Sequence, residues 1–264
     1  MIVTSRSDTA FGGRSGAWTV WSLSDGYVDM PATLVRDKDD NPASPALQET
    51  VRLSVNCYAV TSPDTGTILI DCGAGGSWEP TMGHLKKAMA QAGIDPASIA
   101  VMALTHTHAD HVNGLLTPDG RVLLPNLKSI VISAAAVDGF LNEAHLEPFH
   151  ALLNPVRDGD QIEGELQAVD LPGHALGHTG YALDTGEDRF LFFGDVVHVP
   201  ALQFGDPTVS WGYDHDQPAA RATRLKVLER AAREGSWIAG AHLGRPGIGR
   251  VAAKEGAYAY EPAA

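Results

Sequence analysis

The 264-residue chain predicts a layered α/β fold built around a mixed sheet. Two β-rich runs flank a Pro-Asp-Thr-Gly turn, which marks an antiparallel hairpin. Further along, short aliphatic runs alternate with helical stretches, as in strand–helix units. Several of those runs end on a histidine or an aspartate, the placement expected of a site at one sheet edge.

Residues 1–16 are polar and glycine-rich and predict a flexible N-terminal arm, without the apolar centre of a secretion signal. AWTVWSLSDG (17–26) alternates and ends in a turn signal, so it predicts a first strand. DKDDNPASPA (37–46), polar with two prolines, predicts a loop bordering a site. RLSVNCYAVTSPDTGTILIDCG (52–73) is the hairpin. EPTMGHLKKAMAQAG (79–93) spaces Met82, Leu85 and Met89 at helical intervals between Pro80 and Gly93, and so predicts a helix.

IAVMAL (99–104), LKSIVIS (127–133), LQAVDL (166–171), RFLFFGD (189–195) and SWIAGAH (236–242) predict buried strands. DQPAARATRLKVLERAAREG (216–235) predicts a helix with Leu225, Leu228 and Ala232 on its inner face and Gly235 as its cap. No linker or repeat interrupts the chain, so one domain over 1–264 is expected.

Asp plus Glu number 32 against 19 Lys plus Arg, for a formal charge of −13. Such a surface repels phosphate backbones and anionic lipid, so neither nucleic acid nor membrane is an expected partner. Every apolar run falls short of the 18 or so residues that a spanning helix needs. The two cysteines, Cys57 and Cys72, are expected as reduced, packed thiols in a cytoplasmic protein.

ALTHTHADHVNGLL (103–116) follows a buried strand directly. His106 and His108 are two apart, so on an extended strand end they point the same way, suited to one shared cation. Asp110 and His111 follow after the chain turns, available to a second. Imidazole and carboxylate without thiolate is the donor set of zinc and similar metals. LPGHALGHTGYAL (171–183) adds His174 and His178 in a glycine-hinged loop. Asp195 and His242 each stand at the end of an apolar strand.

In ligand identity and order, HxHxDH, then GH, then GD, then AH resembles the metallo-β-lactamase-fold hydrolase superfamily, and LIDCG (69–73) resembles its early Asp-x-Gly strand end. The resemblance implies an αββα sandwich with a dinuclear metal site at one edge of the sheets. It implies that His106, His108 and His178 hold one metal and Asp110, His111 and His242 the other, with Asp195 bridging. His174 is placed behind the ligands by the same pattern, and Asp71 is placed to orient a ligand histidine. Two divalent ions are implied, zinc by default, with manganese, iron, cobalt or nickel accepted by the same donors.

Two cations sharing Asp195 are expected to hold a bridging water and bring its pKa towards neutrality, giving a hydroxide nucleophile whose proton Asp110 steers. The reaction class is metal-assisted hydrolysis, with Asp110 and Asp195 as catalytic residues. Secreted β-lactamases of this superfamily usually lack the bridging aspartate, and its flavin-linked di-iron members carry glutamate where His108 stands. SLSDGYVDMP (22–31), GDVVHVPALQFGDP (194–207) and GAHLGRPGIGR (240–250) look most like the methyl parathion hydrolase branch with its esterase and lactonase relatives.

The expected substrate is therefore a neutral lactone or aryl ester, with an organophosphate triester as the alternative. Acyl-homoserine lactonase, glyoxalase II-like thioesterase and a metal-binding protein without turnover stand behind it. Homoserine lactonases commonly carry tyrosine where this chain has His198, a candidate for the site wall. Phe140, Phe149, Phe204 and Trp211 are candidates for an apolar pocket. Relatives are often homodimers, so a homodimer is an expectation of the resemblance.

Overall fold

A computed structural model describes residues 1–42 and 49–264. Two mixed sheets stack face to face, and in each the strands lie side by side in chain order. The first holds β1 (Ile2–Arg6), β2 (Ala10–Ser15), β3 (Trp18–Pro31), β4 (Thr50–Ser62), β5 (Gly66–Ile70), β6 (Val101–Ala103), β7 (Ser129–Ser133) and β8 (Leu153–Val156). The second holds β9 (Gln161–Ile162), β10 (Leu166–Asp170), β11 (Thr179–Asp184), β12 (Arg189–Phe192), β13 (Trp237–Ala239), β14 (Ile248–Lys254) and β15 (Ala257–Pro262). Helices α1 (Leu85–Ala92), α2 (Ala109–Val112), α3 (Val137–Leu141), α4 (Pro200–Gln203) and α5 (Gln217–Glu234) join them.

The inner faces of both sheets meet in one core, where Val20, Tyr58 and Ile70 pack with Leu166, Phe190 and Ile248. A second core lies between the outer face of the first sheet and α1, around Leu69, Met89 and Met102. A third joins the second sheet to α5 through Phe193, Leu228 and Ile238. This is the αββα layering expected from the sequence. No helix among the described residues is long and apolar enough to cross a membrane. Cys57 and Cys72 are buried and unpaired.

The expected N-terminal arm is instead β1 and β2 at the edge of the first sheet. The glycines that suggested flexibility serve close packing: a side chain at Gly12 would meet the Trp21 ring at 2.5 Å. The expected loop at 37–46 lies partly outside the described residues; of the rest, Arg36 bridges to Pro42. Helix α1 begins at Leu85, not near Pro80, and ends as expected at a left-handed Gly93. The inner face of α5 carries Arg224, Val227, Leu228 and Ala231, whereas Leu225 is 49% exposed. Hydropathy alone rotates that face wrongly because it cannot anticipate a buried arginine.

The first expected strand, 17–26, does not end at its turn signal. It continues to Pro31 past an irregularity between Ser24 and Gly26 that leaves Asp25 out of register. The buried Asp25 carboxylate accepts hydrogen bonds from the N–H groups of Ala74, Gly83 and Leu85, pinning the segment that follows β5. Burial pushes this carboxyl up to about 6, against the pull of those N–H groups.

The unfolded chain gives up the proton near 3.8 and the folded chain near 6, so between them the folded state binds more protons. The contribution of Asp25 to stability is full below about pH 4 and is lost as pH rises through 6, by about 3 kcal/mol. Denaturant unfolding of the metal-free chain, with Asp25→Asn as reference, is expected to show that difference narrowing across the window. A pH-independent difference would contradict it.

Candidate metal centre

Five strand ends deliver the polar residues to one edge of the sandwich. Asp71 follows β5, and Thr105 and His106 follow β6. The loop after β10 brings His174, while β12 and β13, paired in parallel, run out towards Asp195 and His242. His108 caps α2, whose single turn carries Asp110 and His111 inward.

His106 Nε2 lies 2.9 Å from His108 Nδ1, and His174 Nε2 lies 3.0 Å from that same atom. Asp110 Oδ2 is 3.6 Å from His111 Nε2 and 3.7 Å from His242 Nε2. Asp195 touches both groups: Oδ2 is 3.3 Å from His174 Nε2 and 2.9 Å from His242 Nε2, and Oδ1 is 3.2 Å from His111 Nε2.

The outer nitrogens of these rings are tied down. His111 Nδ1 lies 2.8 Å from Asp71 Oδ2, His174 Nδ1 2.9 Å from Asp214 Oδ1, and His242 Nδ1 2.7 Å from the Ser54 carbonyl. Each such acceptor holds a ring proton on the outer nitrogen and turns the inner nitrogen towards the other donors. Thr105 fixes Asp71 in turn, donating to it from its N–H and its hydroxyl, each at 2.8 Å. Asp71 sits in the left-handed region at φ 57°, a conformation costing roughly 1 kcal/mol that its contacts sustain.

This donor set fits a pair of divalent cations. Nitrogens bound to one tetrahedral zinc at about 2.0–2.1 Å stand about 3.3 Å apart. The nitrogens of His106, His108 and His174 already approach that spacing. His111 Nε2 and Asp195 Oδ1 are buried without a hydrogen-bond partner, although they lie 3.2 Å apart. They are not aligned with each other, as suits two donors to a third atom.

Electrostatics agree with the arrangement. Burial pushes His106, His108 and His174 below the ordinary histidine range, so their rings are neutral. Burial would depress His111 and His242 as well, but Asp195 and Asp110 outweigh it and raise both. The same pairing holds Asp195 well below the usual carboxylate range despite its burial.

One assignment is reversed by this geometry. His178 Nε2 accepts the Asp195 N–H at 3.1 Å, and its Nδ1 lies 2.8 Å from the Leu171 carbonyl. Both ring nitrogens are occupied by backbone, so His178 braces Asp195 while His174 joins the donors. Phe140 and Phe149 pack in the core against the outer face of the first sheet. Phe204 stacks on Tyr260 with centroids 5.3 Å apart. None of the three phenylalanines lines the site, because each is taken up by packing between layers.

Trp211 and His198 do reach the site, their rings stacked at 5.3 Å, with His198 5.1 Å from His242 on its other side. They line a cavity of about 350 Å³ over Asp110, His174, Asp195 and His242. Its remaining wall is Val28, Met30, Leu53, Trp78, His108, Ala109 and Tyr213, and among the described residues no lysine or arginine lines it. Sequence reasoning missed those wall residues other than His108, because they lie on segments far apart in the chain. It also missed Asp214 behind His174.

The sandwich thus carries donors for two cations at one edge, beneath a largely apolar cavity. Residues 50–242 match the model of the Metallo-beta-lactamase superfamily, and the chain belongs to that superfamily. The hydroxyacylglutathione hydrolase of Vibrio cholerae is 33% identical over 125 residues, 46% of this chain and 40% of that enzyme. The matched part thus spans about two fifths (40%) of that curated relative's length.

A crystal structure described as hydrolase AbOPH in the beta lactamase superfamily superposes with a TM-score of 0.87 at 27% identity, covering 98% of this chain and 99% of that one. AidC, a dizinc quorum-quenching lactonase in complex with a product, shares the fold with a TM-score of 0.83 at 20% identity, covering 97% and 98%.

Proposed function

We propose that the chain hydrolyses neutral lactones or aryl esters with the help of two divalent cations, zinc foremost. His106, His108 and His174 would hold one ion and Asp110, His111 and His242 the second, with Asp195 available to both. When bound, such a pair acts as a Lewis acid on a substrate oxygen and makes water acidic enough to ionise near neutral pH. The chain's own residues do the rest. Asp110 lines the cavity floor, where its carboxylate can take up a proton. Asp195 holds both halves of the donor set in register. Trp78, Trp211, Met30 and Leu53 accept the apolar part of the substrate and exclude water.

The observation that carries the substrate class is a cavity that, beyond the donor cluster, is lined by largely apolar side chains and, among the described residues, by no lysine or arginine. Hydroxyacylglutathione, the substrate class in the curated relatives' name, carries carboxylates, and binding it calls for cationic partners that this wall lacks. A lactone or aryl ester asks for none. The segments 22–31, 194–207 and 240–250, whose resemblance is to the methyl parathion hydrolase branch with its esterase and lactonase relatives, are compatible with the same reading.

The test is kcat/KM of zinc-loaded protein on dihydrocoumarin, an acyl-homoserine lactone, a p-nitrophenyl ester, a glutathione thioester and methyl parathion. A lactone or the aryl ester is expected to lead the thioester by at least about tenfold, or about 1.4 kcal/mol in transition-state binding. A leading thioester would overturn the reading. Leadership by methyl parathion would make the chain a phosphotriesterase, and no turnover of any substrate would make it a binding protein.

A further inference from the structure

Helix α5 buries an arginine that no packing argument requires. Arg224 is 1% exposed and reaches towards the metal centre from behind. Its Nε donates to the Val196 carbonyl at 2.7 Å, one residue beyond Asp195. Its Nη1 donates to the carbonyls of Val209 at 2.6 Å and Pro207 at 3.1 Å, and its Nη2 lies 3.7 Å from Asp214 Oδ2. Burial lowers Arg224 only to about 10, so it stays charged at neutral pH.

Asp214 faces the other way as well, with Oδ1 2.9 Å from His174 Nδ1, while the Trp211 N–H donates to Oδ2 at 3.0 Å. The loop of His174 is clasped by the same segment. The N–H groups of His215 and Asp216 donate to the carbonyls of His174 and Gly173 at 2.9 and 2.8 Å. Gly173 has φ +127°, and a side chain there would meet the Ala220 nitrogen at 2.1 Å, so helix and loop touch backbone to backbone.

We propose that Asp214 and Arg224 are a positioning pair for the cation held by His106, His108, His174 and Asp195. Asp214 fixes the His174 proton on Nδ1 and aims Nε2 inward, making the ring a better donor. Arg224 neutralises that buried carboxylate and, through the Val196 carbonyl, sets the strand end that carries Asp195. Two ligands of one ion, from separate loops, are thereby referred to one side chain of α5. The proposal rests on the metal-dependent reading and not on the choice of substrate.

The test is stepwise zinc affinity of the metal-free chain, measured against a chromophoric chelator, with the visible spectrum of the cobalt-loaded form alongside. Asp214→Asn is expected to weaken one zinc step about 10- to 100-fold, leave the other within a factor of about two, and alter the cobalt bands. Arg224→Lys keeps the charge but loses the fork, and is expected to weaken the same step by a smaller factor. Asp25→Asn, at a buried carboxylate that bonds to the N–H groups of Ala74, Gly83 and Leu85 and to none of the donors, is expected to change the unfolding behaviour and neither zinc step.

Unchanged affinities in Asp214→Asn, or losses shared equally between the steps, would overturn the pair. If Asp214→Asn does not fold, Arg224→Lys decides, and two unchanged steps there refute the proposal. A wild-type chain that takes up no zinc would overturn the metal centre itself, and the pair with it.

Discussion

Asp195→Asn is expected to lower kcat/KM by about 10³-fold or more, the scale seen when a member of a catalytic unit is removed. The substitution keeps volume and removes charge. Asp195 Oδ2 lies 2.9 Å from His242, 3.2 Å from His198 and 3.3 Å from His174, and Oδ1 lies 3.2 Å from His111. Among the described residues no other carboxylate touches both donor groups. An amide offers one oxygen and turns an N–H₂ on the rest, where it meets imidazole nitrogens and cannot bind a cation. Zinc content is expected to fall with activity, while far-ultraviolet circular dichroism of the metal-free chain is retained. Activity within tenfold of wild type would show that the bridging placement of Asp195 is unnecessary.

The second large effect separates two histidines four residues apart. His174→Ala removes a nitrogen donor, and the expected result is loss of one tightly held zinc with a kcat/KM loss of about 10²-fold or more. His178→Ala removes no donor. It strips the Asp195 N–H and the Leu171 carbonyl of their partner inside the protein, at a cost of roughly 1–3 kcal/mol in stability. Zinc content per chain together with thermal unfolding distinguishes the two. The variant that loses zinc should not be the one whose main defect is a lower Tm. The opposite pattern would restore His178 as the ligand.

The difference between those residues shows where sequence reading stops. His106, His108, Asp110 and His111 are legible because a run of metal-seeking side chains straight after an aliphatic strand has no packing purpose. Asp195 and His242 are legible because each follows an apolar run that could only be a strand. In LPGHALGHTG both histidines satisfy the same composition and hinge pattern. Choosing between them needs to know whose ring nitrogens the backbone already occupies, which is a tertiary fact.

The layered fold was likewise readable from the hairpin around Pro63 and from the strand–helix spacing. Gly12 was not, because a glycine that admits a neighbouring tryptophan looks the same as one in a flexible arm. Arg224 misled for a related reason: local hydropathy assigns an arginine to water, and only the carbonyls and Asp214 gathered around it show why it is inside. The three phenylalanines were plausible pocket walls by type alone. The wall residues actually used, among them Val28, Leu53 and Trp78, carry no local mark at all.

The chain-order arrangement of both sheets bears on how the molecule assembles. Nearly every strand pairs with its neighbour in sequence, so each sheet can zip up through contacts of short span. The metal centre cannot. His106 and His111 belong to the first sheet's edge and His242 to the second's, and they meet only when the two finished layers are in register. Donor convergence is thus a late event in folding, and a cation captured there stabilises the completed native state by mass action instead of guiding the route to it.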